Sequence, residues 1–173
     1  MEQYSVFLLL PLLTACLACT SFPSDLSGQW TDGSTNKGIT FQSSGITGWE
    51  VPMFNQKVSS WKCVDEDVNQ ILLSSSPVQI YGLDFVVYRC MKWEKVSSCN
   101  YKITFNSNKQ AEAGNERVVV LLKSDEAKVS MCSAGVEESR TIKKDSEIHQ
   151  LLNHQNYGHA QSLDYLFMKT ALM

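Results

Sequence analysis

Two stretches of the chain contain residues that could hold a metal ion. Residues 65–69 read DEDVN and match the opening positions of a calcium-binding loop, D-x-D-x-N. Such a loop needs Gly at its sixth position for a sharp turn and Glu at its twelfth position as a bidentate ligand. Gln70 and Ser76 stand at those two positions. We therefore expect a solvated hairpin turn at this place rather than a calcium site.

The second stretch contains the histidines of the chain, His149, His154 and His159, which are spaced five residues apart. A helix turns about 100° per residue, so five steps separate two side chains by about 140°. Metal-binding histidine pairs on a helix prefer a spacing of four residues, and an odd spacing in a strand places two side chains on opposite faces. The histidines are expected to lie on the surface, and neither a metal nor a cofactor is predicted.

The sequence patterns of common catalytic sites are missing from this chain. It contains no G-x-S-x-G nucleophile elbow, no H-E-x-x-H zinc motif and no Gly-rich phosphate loop. A cysteine protease needs an unpaired thiol beside a histidine, whereas the histidines here share one C-terminal stretch. We predict a protein that is not an enzyme and that has no catalytic residues.

Residues 1–18 are expected to be a secretory signal peptide. An apolar run at 6–13 is followed by small residues of the kind that a signal peptidase reads. The run is shorter than the roughly 20 apolar residues of a membrane span. The segment before the run contains Glu2 and no basic residue, which leaves two alternatives. One is a bacterial lipobox, LTAC, with lipid on Cys16, and the other is a short buried helix of a cytosolic protein.

Residues 19–173 are then expected to form a single secreted domain, which is long enough to bury a sizeable core. The chain has 15 basic and 18 acidic residues, a formal net charge of −3. Lys and Arg are not concentrated in any stretch, so neither a nucleic-acid partner nor a stable polybasic membrane anchor is predicted. The C-terminal LDYLFMKTALM is interrupted by Asp164 and Lys169 and is too short for a GPI signal or a membrane span.

The cysteines that follow the predicted leader are candidates for disulfide bonds. They are Cys19, Cys63, Cys90, Cys99 and Cys132. Disulfides form and persist in the oxidising compartments that a secreted protein meets. No pair has the C-x-x-C spacing of a zinc ribbon or a redox site. The number is odd, so either one thiol has no intrachain partner or cleavage before Cys16 leaves six cysteines.

We predict two intrachain disulfides and place Cys19 in one of them, because a chain terminus frays unless it is tied down. The partner of Cys19 is open, with Cys90 as the choice made here. A bond between Cys90 and Cys99 is disfavoured, because a tight turn at 96–98 offsets the two residues by roughly 13 Å at the rise of a strand. Disulfide geometry tolerates a Cα separation of about 7 Å.

The body of the chain has the periodicity of β-strands. Apolar and polar residues alternate at 39–42 and at 101–106, a period of two that turns one side of a strand to a core. Denser apolar runs at 84–93 and 117–122 are typical of central strands. KVSMC at 128–132 is expected to add a further strand.

A helical period appears only near the C-terminus. Ile148, Leu151 and Leu152 share one helical face, with Asp145 as the N-cap, and the predicted helical segment spans about residues 145–171. The expected fold is mainly β. It is a disulfide-stabilised antiparallel barrel, or a sandwich, of about seven or eight strands followed by one or two helices. A barrel is favoured because closure removes the exposed edges of a sheet.

The stretch LSGQW places Gly28 and Trp30 at the head of the first expected strand. They resemble the G-x-W of lipocalins, in which the tryptophan closes the base of the barrel. The resemblance implies a lipocalin-like barrel that carries a small apolar ligand, and it makes Arg140 the expected basic residue over the tryptophan. A carrier of this kind needs a cavity of about 300–1,000 Å³.

A longer pattern covers about residues 19–105. It consists of C-x-x-F-P with L-x-G-x-W at 19–30, W-x-C ending at Cys63, and Y-R-C ending at Cys90. The pattern resembles an uncharacterised domain of secreted invertebrate proteins, in which a cysteine often directly precedes Y-R-C. Val87 occupies that place here. The resemblance implies a secreted module but no chemistry. Its structural residues would be Phe22, Pro23, Gly28 and Trp30.

The leading functional hypothesis is a secreted, non-catalytic extracellular module. It would contact a protein or another component of an extracellular matrix, including a mineralised, shell-type matrix. The alternative is a lipocalin-like carrier of a small apolar ligand, and a venom or defence component is the third hypothesis. The barrel interior distinguishes the first two, because a carrier needs a cavity and a matrix module is expected to have a filled core.

Overall fold

The computed structural model describes residue 19, residues 22–68 and residues 70–144. Short 3-10 helices lie at Ser24–Leu26, Ala111–Ala113 and Val129–Ala134. The strands are β1 (Gly28–Asp32), β2 (Gly38–Phe41), β3 (Gly45–Met53), β4 (Gln56–Glu66), β5 (Ile71–Ser74), β6 (Val78–Ile80), β7 (Leu83–Ser97), β8 (Asn100–Asn106), β9 (Lys109–Gln110), β10 (Glu116–Arg117), β11 (Val119–Leu122) and β12 (Glu137–Lys144). Within this part of the chain, no helix has the length and apolarity needed to cross a membrane.

Eight strands close into an antiparallel barrel. Seven of them pair with their neighbours in the order of the chain: β1, β2, β3, β4, β5, β7 and β8. The eighth, β12, pairs with both β8 and β1 and closes the barrel. The long strand β7 pairs with β8 in a register that sets Met91 opposite Phe105 and Trp93 opposite Ile103. The expectation of a mainly β, antiparallel barrel that is cross-linked by disulfides is therefore confirmed.

The up-and-down order places successive connections at opposite ends of the barrel. The base, as we name it, carries the start of β1 and the turns β2–β3, β4–β5 and β7–β8. The mouth carries the turns β1–β2, β3–β4 and β6–β7 and the long connection from β8 to β12. The part of that connection at 107–118 contains the small β9–β10 sheet and is called the cap below.

Apolar side chains line both faces of β7. Val87 and Met91 belong to the core inside the barrel, and the intervening Val86, Tyr88 and Cys90 belong to a second cluster on the outer wall. Successive side chains of a strand point to opposite faces, so both faces of this strand are covered by other parts of the chain. This double burial explains the dense apolar run at 84–93.

The expected strand at 128–132 is wrong, because that segment lies within the 3-10 helix Val129–Ala134. The helix is held on the outer wall by two long-range contacts. The backbone N–H of Val129 donates to a carboxylate oxygen of Asp65 at 2.8 Å, and Cys132 is joined to Cys90. Tertiary attachments of this kind override a weak local preference for strand.

Residues 119–122 of the run expected at 117–122 form a strand, β11, at the side of the barrel rather than in its centre, and Arg117 belongs to β10. β11 pairs with β7, and Val119 and Leu121 pack into the outer cluster. The C-terminal helical segment expected at 145–171 lies outside the described residues, as do the three histidines and the leader 1–18.

Trp30 lies at the base of the barrel and is fully buried. Its indole N–H donates to the carbonyl of Leu26 at 2.7 Å, and its ring packs edge to face on Tyr101 with centroids 5.4 Å apart. The cation over the ring is the ammonium of Lys144, 5.5 Å from the centroid. The expectation that Arg140 covers Trp30 is wrong, because Arg140 lies four residues closer to the mouth on β12.

The other residues of the opening pattern also lie at the base. Phe22 is buried and packs edge to face on Phe41, with centroids 5.4 Å apart, and Pro23 accepts the backbone hydrogen bond that begins the first 3-10 helix. Gly28 has a φ of +112°, a conformation that L side chains rarely adopt. Gly28 therefore lets the chain pass from the 3-10 helix into β1 without strain.

Two disulfides form, and Cys19 belongs to one of them, as expected. Cys19 pairs with Cys63, with a Cα separation of 5.8 Å, and Cys90 pairs with Cys132 at 5.4 Å. The choice of Cys90 for Cys19 is wrong, because Cys90 points to the outer wall and Cys63 lies on the base half of β4. Cys99 is free and exposed in the β7–β8 turn.

Non-reducing peptide mapping after alkylation should recover a peptide pair that joins Cys19 to Cys63 and a second pair that joins Cys90 to Cys132. Cys99 should carry the alkyl group, because its thiol is exposed and unpaired. The Cys99→Ser variant should lose that label and keep both linked pairs. Recovery of Cys19 linked to Cys90 would contradict this connectivity.

Replacing Trp30 with alanine should lower the free energy of unfolding by about 3–5 kcal/mol, the usual range for a buried large aromatic residue. The measurement is denaturant unfolding of the oxidised protein. The control is Val96→Ala, which removes a side chain that is 64% exposed and should change stability by less than about 0.5 kcal/mol. Equal effects of the two substitutions would show that Trp30 does not hold the base together.

Candidate functional site at the barrel mouth

The centre of the barrel holds a buried arginine. Arg89 is 1% exposed, and its guanidinium carbon lies 4.8 Å from the ring centroid of Trp61 and 4.5 Å from that of Phe105. Burial lowers the pKa of Arg89 to about 10 despite the opposing charge of Glu116, so the guanidinium remains charged at neutral pH. Cation–π contacts with two rings offset part of its lost hydration.

The charge of Arg89 is paired with a carboxylate of the cap. Glu116 accepts a hydrogen bond from Nη2 of Arg89 at 3.0 Å and another from Arg140 at 3.3 Å. Arg140 also donates to Glu138 at 2.9 Å and lies 3.6 Å from Asp32. These ion pairs connect the cap to β7, to β12 and to the end of β1.

The surroundings of Arg140 favour its charged form. Burial lowers the pKa of Arg140, but the hydrogen bond to Glu138 and the charges of Glu116, Glu138 and Asp32 raise that pKa above its usual value overall. Asp32 is fully buried and accepts a hydrogen bond from the indole N–H of Trp49 at 2.8 Å. The network therefore occupies the upper interior with fixed, mutually paired charges.

A pocket of about 400 Å³ opens in the mouth above this network. Its apolar lining comes from β3, β6, β7 and β11 and from two hairpin turns, and its polar lining comes from the cap. The lining residues are Met53, Phe54, Ile80, Tyr81, Leu83, Phe85, Gln110, Glu112 and Val120. A mainly apolar wall with a few polar groups is the composition of small-molecule sites.

The cap sits close to β3 and so fixes the polar side of the pocket. Ala113 is fully buried in the core. Gly114 has a φ of +62°, and a Cβ built there would lie 2.5 Å from the ring of Pro52. Only glycine permits this approach. The contact holds Gln110 and Glu112 at the edge of the mouth.

A second depression, of about 620 Å³, lies on the outer wall. Its lining includes Gln70, Thr104 and Asn106, and an ion pair joins Lys92 to Glu137 at 2.6 Å. Charged and neutral polar side chains make up most of the lining, and Trp93 is its one large apolar residue. The mouth pocket is therefore the better fit for an apolar molecule.

The acidic residues at 65–67 lie at the end of β4 and the start of the β4–β5 turn. Asp67 accepts a hydrogen bond from the backbone N–H of Gln70 at 2.9 Å. Among the described residues, the one group with metal-ligating side chains close together is Cys19, Cys63 and Glu66. The two sulfurs of this group form a disulfide, and a disulfide is not the thiolate that ligates a metal.

The structural residues of the opening pattern lie away from the mouth. These residues lie at the base, where their contacts stabilise the fold. They are Phe22, Pro23, Gly28 and Trp30. Sequence reasoning missed Arg89. Val87, Arg89 and Met91 are two residues apart along the strand, so their side chains point to the same face. This spacing was a signal that the side chain of Arg89 points into the barrel. Phe54 and Tyr81 had no comparable signal.

No known family model, curated protein or solved structure matches this chain.

Replacing Glu116 with glutamine should lower the free energy of unfolding by about 3 kcal/mol, because it leaves the charge of Arg89 buried with less compensation. This figure is at the lower end of the range for breaking a buried pair, since Glu116 is about one quarter exposed. Denaturant unfolding at neutral pH measures the change.

The control for this substitution is Glu126→Gln, which removes an exposed partner of Lys128 and should change stability by no more than about 1 kcal/mol. In the double variant Arg89→Met with Glu116→Gln, the loss should be smaller than the sum of the single losses. Additive losses would show that the two side chains are not coupled.

Proposed function

We propose that this protein is a secreted, non-catalytic binding protein that holds a small apolar ligand in the mouth of its barrel. The observation that carries the proposal is the mouth pocket of about 400 Å³, whose volume falls within the 300–1,000 Å³ of ligand sites. Mouths of β-barrels are among the places where such sites occur. The ligand would contact Met53, Ile80, Phe85 and Val120, with Gln110 and Glu112 at its polar edge.

The proposed extracellular location is supported by the cysteines. Both disulfides connect segments more than 40 residues apart, with sequence separations of 44 and 42. Long closed loops gain the most stability from a cross-link in the chain-entropy model, and such bonds persist in oxidising compartments. The expected leader at 1–18 supports the same location.

The proposal that the protein is an extracellular matrix module is the second candidate, and the filled centre of the barrel favours it. Trp61, Arg89 and Phe105 are each no more than 1% exposed and pack on one another. A ligand therefore has room at the mouth but not among these side chains. In this second candidate, the rim and outer wall would contact a matrix component and the mouth pocket would stay empty.

Titration with the neutral fluorescent probe N-phenyl-1-naphthylamine tests the carrier proposal. The wild-type protein should show saturable binding with about one site and a blue-shifted emission, because the probe moves from water into an apolar pocket. The Leu83→Gln variant should bind about tenfold more weakly, since removing part of a leucine contact is worth about 1.4 kcal/mol. Leu83 is 55% exposed, so the variant should fold.

The matched control is Val136→Gln, which changes an exposed apolar residue outside the pocket and should leave the affinity for the probe unchanged. Adsorption of the wild-type protein to calcium carbonate particles provides the competing measurement. Absence of saturable probe binding together with strong adsorption would reject the carrier and favour the matrix module. Equal weakening by both substitutions would show that the probe binds elsewhere.

A further inference from the structure

A separate pocket of about 420 Å³ lies on the rim of the barrel, between the end of β6 and the start of β4. Its lining residues are Phe54, Asn55, Gln56, Gln79, Ile80 and Tyr81. Phe54, Ile80 and Tyr81 also border the mouth pocket, so the two pockets share a wall.

Besides the hydroxyl of Tyr81, the polar side-chain groups of this rim pocket are neutral carboxamides. Asn55, Gln56 and Gln79 supply three of them, and no Lys, Arg, Asp or Glu belongs to the lining. The amide nitrogen of Gln56 donates to the backbone carbonyl of Gln79 at 2.9 Å, which orients that side chain. A carboxamide has two donor hydrogens and one acceptor oxygen, so Gln56 keeps a donor and an acceptor for a ligand.

Two aromatic side chains project from the turns beside these amides. Phe54 is 55% exposed and Tyr81 is 93% exposed, and their rings meet edge to face with centroids 6.1 Å apart. Burial in the fold does not account for an aromatic residue as exposed as Tyr81. Exposed aromatic residues flanked by polar groups are a feature of binding surfaces.

The backbone at both aromatic residues is unfavourable for those residue types. Phe54 has a φ of +52° and Tyr81 a φ of +51°, and each is the first residue of a two-residue hairpin turn. Such turns favour Gly, Asn or Asp at positions with positive φ. Strain of this kind clusters at functional sites, where the side chain is needed more than the relaxed turn.

We infer that the rim pocket binds a neutral sugar ring. The apolar C–H face of a pyranose would lie against Tyr81 and Phe54, and its hydroxyl groups would exchange hydrogen bonds with the carboxamides of Asn55, Gln56 and Gln79. A hydroxyl both donates and accepts, which matches the paired donors and acceptor of a carboxamide. This site is distinct from the proposed apolar-ligand site and does not depend on it.

Other classes of ligand fit the rim pocket less well. A phosphate, sulfate or carboxylate would meet no cationic side chain in the lining, and a cationic ligand would meet no carboxylate. A purely apolar ligand would cover the carboxamides without giving them hydrogen bonds, which is unfavourable. A neutral ring with one apolar face and several hydroxyl groups satisfies both the aromatic and the amide part of the lining.

Isothermal titration of the full-length oxidised protein with cellotriose and, separately, with triacetylchitotriose tests this inference. Saturable binding of either sugar is expected. A third titration uses octyl β-glucoside below its micelle concentration. Tighter binding of this compound than of the sugars would identify a glycolipid head group as the source of the ring, with its chain in the mouth pocket. Tighter binding of a trisaccharide would identify a free or matrix saccharide.

The variant Tyr81→Asn separates binding from folding. It creates the sequence Asn-Gly that this turn prefers, so the variant should be at least as stable as the wild type while it loses the stacking ring. Sugar affinity should fall about tenfold or more in Tyr81→Asn and in Gln79→Ala, and Tyr81→Phe should retain most of it because the ring remains. Leu83→Gln should weaken the naphthylamine probe but not the sugar.

Three outcomes would overturn the inference. The first is that none of the three compounds binds saturably, and the second is that the wild type and Tyr81→Asn have equal affinity for the sugar. The third is that Leu83→Gln loses as much sugar affinity as Gln79→Ala does. The first two reject a sugar site at these turns. The third would assign sugar binding to the mouth pocket instead. Because the probe and the sugars are measured separately, failure of the carrier proposal does not affect this test.

Discussion

The guanidinium of Arg89 carries a full charge in the centre of the barrel, between the rings of Trp61 and Phe105. A charge buried this deeply destabilises the fold unless an oppositely charged group lies beside it. The fold provides one with Glu116, which reaches Arg89 from the cap. The position of the cap, and with it the shape of the mouth, therefore depends on this ion pair.

The same interaction separates the filled part of the barrel from the part that can hold a ligand. Below the network, aromatic rings and aliphatic side chains fill the interior down to Trp30 at the base. Above it, the cap leaves a pocket between its own polar residues and the apolar ends of β3, β6 and β7. The protein thus combines the packed core expected of a matrix module with the apolar cavity expected of a carrier. The cavity lies at the mouth rather than in the centre.

The rim of the mouth shows a balance between stability and exposure. The β3–β4 and β6–β7 turns hold Phe54 and Tyr81 with positive φ, where glycine or asparagine would be more stable. The base shows the opposite relation, since Gly28 occupies the position of positive φ at the start of β1 and the aromatic residues around it are buried. The residue preferences of two-residue turns are therefore broken at the proposed site. Functional sites commonly show this kind of local conflict.

The sequence alone determined the features that depend on local periodicity and composition. Alternation at 39–42 and 101–106 was enough to predict strands that the structure places in an antiparallel barrel, because a period of two marks a half-buried strand wherever it pairs. The scattered cysteines were enough to predict two disulfides, with Cys19 in one of them.

Only the tertiary structure decided which residues meet across the barrel. Strand register and contacts between distant segments determine three features that the sequence did not show. These are the pairing of Cys19 with Cys63, the position of Lys144 rather than Arg140 over Trp30, and the 3-10 helix at 129–134. The pairing of Arg89 with Glu116 spans 27 residues of sequence, and no local pattern specifies it. Register depends on the summed burial of all the strands, so these pairings exist only once the cylinder has closed.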